Sequence, residues 1–273
     1  MPGVPMTGAP TAHAEHTSAR LPARLVGTVV SLSPTTADRW ARCRRQYLLQ
    51  NVLQLPAVDD SPWTSEGLKV HDILRQLHEQ GTCDDRAWVD EIVASYGGGE
   101  PDRLRGFLER HAARCPKGAE AVGHEVGVSR FHREPAPPFL AAASIDAIWI
   151  HDGLLDARDY KTGTGGAFDI SGDVRARVQA WLLEPMATRR GLRLRLRYEF
   201  LAPEASEDPA PWDPEPEELI AIDEELRSIA DAMRTEREFV GCREPAVCRT
   251  CGYRSICVDA ALTQERVEEP PPT

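Results

Sequence analysis

Apolar positions in the first part of the chain recur with helical spacing, and further on they take up the two-residue period of strands. Leu68, Ile73, Leu74 and Leu77 recur at the spacing of a predicted helix over about 65–80. Ser33-Pro34-Thr35-Thr36 offers N-cap hydroxyls to a helix running through about Gln50, with a short strand at 25–31 before it. Two more helices are predicted at 85–95 and 101–113, separated by Gly97-Gly98-Gly99. The pattern then changes. Runs at 121–131, 139–150 and 153–160 are rich in Val, Ile, Leu and Trp, and His151-Asp152-Gly153 turns between the last two. A helix at 173–188 follows. Leu192, Leu194 and Leu196 then alternate with Arg193, Arg195 and Arg197, as in a half-buried strand with one cationic face. A Pro-rich loop at 203–216, a helix at 217–238 and a cysteine-bearing segment complete the pattern.

Helices, a strand meander, a crossover helix and a further strand predict an α/β fold with a mixed central sheet flanked by helices. The reading is one domain over 25–260: a helical part at about 34–115, a sheet core at about 120–202 and a C-terminal part at about 214–258. Residues 1–24 and 261–273 read as disordered tails.

A net charge of −11 argues against a generally basic nucleic-acid coat. It leaves room for local binding, because an acidic metal site becomes less negative once its cations are in place. Arginines cluster around position 43 and again at 189–197, whereas lysine occurs only at Lys69, Lys117 and Lys161. In a chain that uses arginine by default, a lysine directly after Asp159-Tyr160 invites a chemical explanation. No secretory signal and no run of about 18 apolar residues is visible, so a cytosolic protein with no membrane span is expected. Its seven cysteines then favour metal over disulfide, with Cys83 and Cys115 read as plain thiols. No G-x-x-x-x-G-K-[ST] occurs, so a helicase working with this chain would be another polypeptide.

Two groups of residues carry chemistry. Asp146 and Asp159 lie at or near the ends of adjacent predicted strands, and Lys161 projects from the same strand face as Asp159. A carboxylate pair followed by a lysine can hold Mg²⁺ or Mn²⁺ and activate a water for phosphodiester cleavage. Cys248, Cys251 and Cys257 form a C-x2-C-x5-C run that reads as co-ligands of one metal centre. Thiolates serve zinc and iron–sulfur alike. Either Cys242, which completes a local set, or the distant Cys43 could be the fourth ligand.

Leu32-Ser33-Pro34 before Cys43, Gly67-x3-His71, Glu125, Ile145-Asp146, Asp159-Tyr160-Lys161-Thr162-Gly163, Gln179 and the three C-terminal cysteines occur in an order that resembles the RecB-like PD-(D/E)xK nucleases. The resemblance is to their iron–sulfur branch, which includes the CRISPR-associated RecB-like exonucleases and the nuclease domain of AddB. It implies a restriction-endonuclease-like core, with N- and C-terminal segments clamped by a [4Fe-4S] cluster on Cys43, Cys248, Cys251 and Cys257. It further implies metal ligation by His71, Glu125, Asp146, Asp159 and the Tyr160 carbonyl, with Lys161 and Gln179 completing the catalytic set. The implied substrate is DNA, with single strands preferred and an exonuclease expected; a helicase or CRISPR-integration proteins would be the partners. Two residues depart from the pattern: Leu183 stands where the Q-x-x-x-Y motif has tyrosine, and Ser144 where glycine commonly precedes I-D. The rival readings are a DNA-binding module without turnover and a zinc-clipped interaction protein.

Overall fold

The computed structural model describes residues 29–58, 62–80, 85–95, 101–116, 118–134, 137–166, 168–205 and 207–260. Five strands form one mixed sheet around β3 (Phe139–His151). β2 (Glu120–His132) runs antiparallel to β3 along one edge. The other edge of β3 is shared. β1 (Val30–Leu32) pairs in parallel with Phe139–Ala141, and β4 (Leu154–Lys161) pairs antiparallel with Ala147–His151. Residues 142–146 of β3 pair with neither, which leaves a fork in the sheet.

β5 (Arg193–Phe200) lies parallel to β4, so the chain must cross over between them, and α6 (Val174–Arg190) does so. The β3–β4 hairpin turns at Asp152-Gly153, with φ of 50° and 73°. Positive φ at both central residues matches the right-handed twist of a tight hairpin.

The period of two along β4 separates two layers. Leu155 and Ala157 face α6 and join Leu194, Leu196, Tyr198 and Trp181 in one core. Tyr160 faces the other way, into a second core with residues of α3 (Pro62–Gln80), α4 (Arg86–Ser95) and α5 (Pro101–Ala112), among them Ile73, Leu77, Val89 and Phe107. The expected mixed sheet flanked by helices is therefore present. Among the described residues no helix is long and apolar enough to cross a membrane.

Two expectations are corrected. The helix predicted from Ser33 through Gln50 is broken. α1 (Pro34–Arg42) begins on a Ser33–Thr36 capping box, but the backbone is extended at Cys43 (φ −160°, ψ 106°) before the four-residue α2 (Arg44–Tyr47) and a π turn at Leu48–Val52. The extended residue takes the Cys43 side chain off the helical path and into a cavity shared with the C-terminal cysteines.

The cationic strand face is in part neutralised by carboxylates at Arg195 and Arg197, while Arg193 stays mostly exposed. Arg195 makes a bidentate pair with Asp213 at 2.6 Å and 2.6 Å, and Arg197 donates to buried Asp156 at 3.0 Å. These arginines share the sheet face of Asp156 and Arg158, opposite the one that carries Asp159 and Lys161. Asp156 also accepts from Arg158 at 2.9 Å, and Arg158 donates to Glu199 at 2.6 Å, so the network ties β4 to β5. C-terminal to β5 come α7 (Pro216–Thr235) and the short α8 (Pro245–Arg249), which carries Cys248.

Candidate active site

The site forms where β4 leaves β3. Ala147 still pairs with Arg158, but one step on the ladder gives way: the Tyr160 N–H donates to Asp146 Oδ2 at 2.7 Å. A side chain thus replaces a backbone partner, and the strands splay. Asp146, expected at or near a strand end, lies inside β3, at the point where pairing with β4 stops.

Across the other edge of β3, the pairs His124–Ala147 and Val126–Ile145 bracket Glu125 opposite Asp146. Glu125 has φ of 50°, a left-handed conformation that costs a non-glycine residue on the order of 1 kcal/mol. Strain of this kind collects at functional sites, and here it sets the Glu125 carboxylate beside His71.

His71 reaches the strands from α3. Gly67, one turn earlier, packs on the end of β4, where a Cβ would sit 3.4 Å from Thr162 Oγ1. That is ordinary van der Waals contact, so the glycine marks where α3 packs on the end of β4 without being sterically required there. His71 Nδ1 lies 3.4 Å from Asp146 Oδ1 and 3.7 Å from Glu125 Oε1, and its Nε2 is 3.0 Å from the Tyr160 carbonyl oxygen. One donor atom each from His71, Glu125 and Asp146 fall within 4.8 Å of one another.

The electrostatics follow from this crowding. Burial opposes a charge on His71, but Asp146, Glu125 and Asp159 overcome it and hold the imidazolium up to about 10. Asp146 is raised by burial and by the Asp159 carboxylate, against the pull of His71. Glu125 is lowered, first by His71 and also by Ser144, whose Oγ donates to Glu125 Oε2 at 2.9 Å. Ser144 therefore braces the Glu125 carboxylate where a glycine could not.

Lys161 forms an ion pair with Asp159, and its Nζ lies 4.9 Å from the Tyr198 ring centroid. Asp159, Lys161 and buried Gln179 line a cleft of about 790 Å³ that fills the fork. Arg175, Ser33, Pro34 and Thr35 wall it, and Gly127, Ala142, Ala143 and Ser144 floor it. Leu183, one turn beyond Gln179, is fully buried in the α6 core, so the absent tyrosine leaves an apolar packing residue.

Cys43, Cys242, Cys248, Cys251 and Cys257 are free and line one cavity. Both candidates for the fourth ligand are thus at the site. Burial, with neighbouring thiols adding to it, pushes up Cys251 and Cys257 and carries Cys242 to about 11. Such thiols stay protonated at neutral pH and become thiolates only against a metal's positive charge. The chain ends dock through other contacts as well: Tyr253 OH donates to the Leu55 carbonyl at 2.6 Å, and Arg45 pairs with Asp259 at 3.2 Å.

Sequence reasoning missed a third group. The histidines other than His71 read from the sequence as surface residues, yet His78, His111 and His132 are buried at 9%, 0% and 8% exposure. Cys115, read as a plain thiol, is disulfide-bonded. Cys83 lies outside the described residues. The available signal was the H-x3-C spacing of His111 and Cys115 at the end of a predicted helix.

Comparison with known proteins bears on the whole of this architecture. Among solved structures, the chain is similar to a Eubacterium rectale protein named "Putative exonuclease", with 11% identity, a TM-score of 0.50 and 97% of each chain covered. It is also similar to SSO0001, with 13% identity, a TM-score of 0.42, and 84% of this chain and 85% of that chain covered. At such identity the Eubacterium rectale likeness speaks to fold alone. No curated protein matches the chain. A sequence profile of the PD-(D/E)XK nuclease superfamily, however, matches residues 31–258, a span that takes in the fork, the helix bearing His71 and the C-terminal cysteines. With the profile extending over most of its length, the chain belongs to the PD-(D/E)XK nuclease superfamily.

Proposed function

We propose that this protein is a divalent-metal-dependent DNA nuclease of the RecB-like, iron–sulfur branch, acting as an exonuclease on single strands. The convergence of His71, Glu125, Asp146 and the Tyr160 carbonyl beside Asp159 and Lys161 carries this reading. Hard oxygens with one imidazole suit Mg²⁺ or Mn²⁺. Held there, the cation would supply Lewis-acid activation of the phosphodiester and of the attacking water.

The chain's own residues do the rest. Tyr160 N–H fixes the Asp146 carboxylate, and Ser144 fixes that of Glu125. Asp159 holds the Lys161 ammonium at the cleft, where it stabilises charge developing on a phosphate. Gln179 faces the same space. The proton on His71 offsets the carboxylates and leaves the imidazole when the site is loaded. A cleft of about 790 Å³ has room for a nucleotide or two of one strand beside Lys161.

Cys43, Cys248, Cys251 and Cys257 would hold the [4Fe-4S] cluster as a clamp on the chain ends, because hydrolysis needs no electron transfer. Zinc is the competing occupant, since thiolates serve both, and acid-labile sulfide in the purified protein would mark the cluster.

The test is single-stranded DNA cleavage by anaerobically purified protein. Activity should vanish with EDTA, return with Mn²⁺ and be absent from Asp159→Ala, which should keep its iron and its thermal melt. Cleavage by Asp159→Ala at the rate of the unaltered chain would overturn the assignment.

A further inference from the structure

Behind the Asp159-Tyr160-Lys161 strand, on the helical side of the sheet, lies a donor set that the nuclease reading leaves unused. His78 sits near the end of α3, His111 in the last turn of α5, and Cys115 in the turn that leads to β2. One nitrogen from each histidine and the Cys115 sulfur fall within 4.8 Å of one another, and all three residues are buried. The two Nε2 atoms face each other at 2.8 Å. Neither Nδ1 has a hydrogen-bond partner, although both are buried. Unpaired buried polar atoms are rare in proteins and call for an explanation.

The surroundings of His111 point to one. Its Nδ1 lies 3.8 Å from Glu199 Oε2, a buried oxygen that itself has no hydrogen-bond partner. A metal-ligating histidine has this arrangement, with one ring nitrogen on the ion and the other N–H directed at a carboxylate that fixes the tautomer. His78 is held in the neutral form that ligates: burial first, then His111, His124 and Arg158, push it down to about 2. Two imidazoles and a thiolate suit zinc, and they do not suit the hard cations of the cleft.

We propose that His78, His111 and reduced Cys115 form a structural zinc site that braces the catalytic strand. Tyr160 is the connection. Its ring packs 5.1 Å from the His111 ring and 6.1 Å from that of His78, while its carbonyl and N–H contact His71 and Asp146. Zinc here would pin α3, α5 and β4 to one another beneath the nuclease centre. The sequence also places Cys83 five residues after His78, but its position is outside the described residues and the site does not depend on it.

The site is open or closed by redox state. Cys115 is disulfide-bonded in this structure, and that form cannot ligate. A dithiol reductant transfers two electrons and two protons to the disulfide, which frees two thiols, and leaves as a disulfide itself. Zinc then displaces the Cys115 thiol proton.

The experiment uses reduced full-length protein with its terminal cysteines loaded. Cobalt(II) should give a sulfur-to-cobalt charge-transfer band and the intense visible bands of a tetrahedral site, and Cys115→Ser should lack them. In the unaltered chain, one equivalent of zinc should slow iodoacetamide alkylation of Cys115 at least tenfold, read by peptide mass spectrometry. This second arm stands even where Cys115→Ser folds poorly. Cobalt spectra identical in the two proteins, or alkylation of Cys115 at one rate with and without zinc, would overturn the site.

Discussion

Lys161→Met removes an ammonium while keeping an unbranched side chain, and the structure separates what this should do to stability from what it should do to catalysis. The Lys161 side chain is 27% exposed, pairs with Asp159 and lies 4.9 Å from the Tyr198 ring centroid. A partly exposed ion pair contributes about 0–1 kcal/mol, and a cation–π contact about 0.5–1 kcal/mol. Methionine retains the apolar contact with the ring, so the unfolding free energy should fall by about 1 kcal/mol. Turnover has more to lose. Removing one preorganised donor to developing charge typically costs about 10²–10³ in kcat, or about 2.7–4 kcal/mol. The assay is release of acid-soluble nucleotides from single-stranded DNA at saturating Mn²⁺, beside a urea melt of the same sample. Turnover within about threefold of the unaltered chain would refute the role given to Lys161, since about a hundredfold loss or more is expected. A stability loss well above about 1 kcal/mol would instead make the lost activity an effect of unfolding.

Acid should unfold the protein through His78, which burial and then His111, His124 and Arg158 push down to about 2. An unfolded histidine titrates near pH 6.5, so below that the unfolded chain binds a proton that the folded chain refuses. Stability is then full above about pH 6.5 and falls by up to about 1.4 kcal/mol per pH unit below it. His78→Gln should remove that slope from urea melts taken across pH, and an unchanged slope would place the acid loss in other groups. Cys43→Ser should lose its iron while Cys242→Ser keeps about four per chain; the reverse order would make Cys242 the fourth ligand. Arg193→Glu combined with Arg195→Glu should leave single-strand affinity and its salt dependence unchanged, because both guanidinium groups face Asp213 on the sheet side away from the cleft. A flatter salt slope would return them to the DNA path.

Local patterns were legible in the sequence and long-range ones were not. Alternation along a strand placed Asp159 and Lys161 on one face with Tyr160 behind them, because that depends only on the period of the pleat. The spacing of Gly67 and His71 gave one helical turn, yet the packing of that turn on Thr162 at the end of β4 is a tertiary fact. The shared edge of β3 could not be read, since β1 joins it from more than a hundred positions away. Arg195 and Arg197 looked like a free cationic face because their partners, Asp213 and Asp156, are remote in sequence. His78 and His111 read as surface residues, and only the packing of α3 and α5 against the sheet shows them buried beside Tyr160. Ser144 looked like a defect in a motif until its hydroxyl was found on Glu125.

Manganese affinity and cleavage, measured on the same samples of the unaltered chain and Asp146→Asn, test the metal centre most directly. Asparagine keeps an oxygen that can accept from Tyr160 N–H and so preserves the fork, but it removes the charge that faces His71. Calorimetric titration of Mn²⁺ into chelator-treated unaltered protein should show binding, and cleavage should appear as the site fills. Asp146→Asn should melt normally, bind Mn²⁺ far more weakly and leave single-stranded DNA intact. Cleavage by the unaltered chain in EDTA, or an Asp146→Asn protein with undiminished Mn²⁺ affinity and turnover, would contradict a nuclease centre built on Asp146.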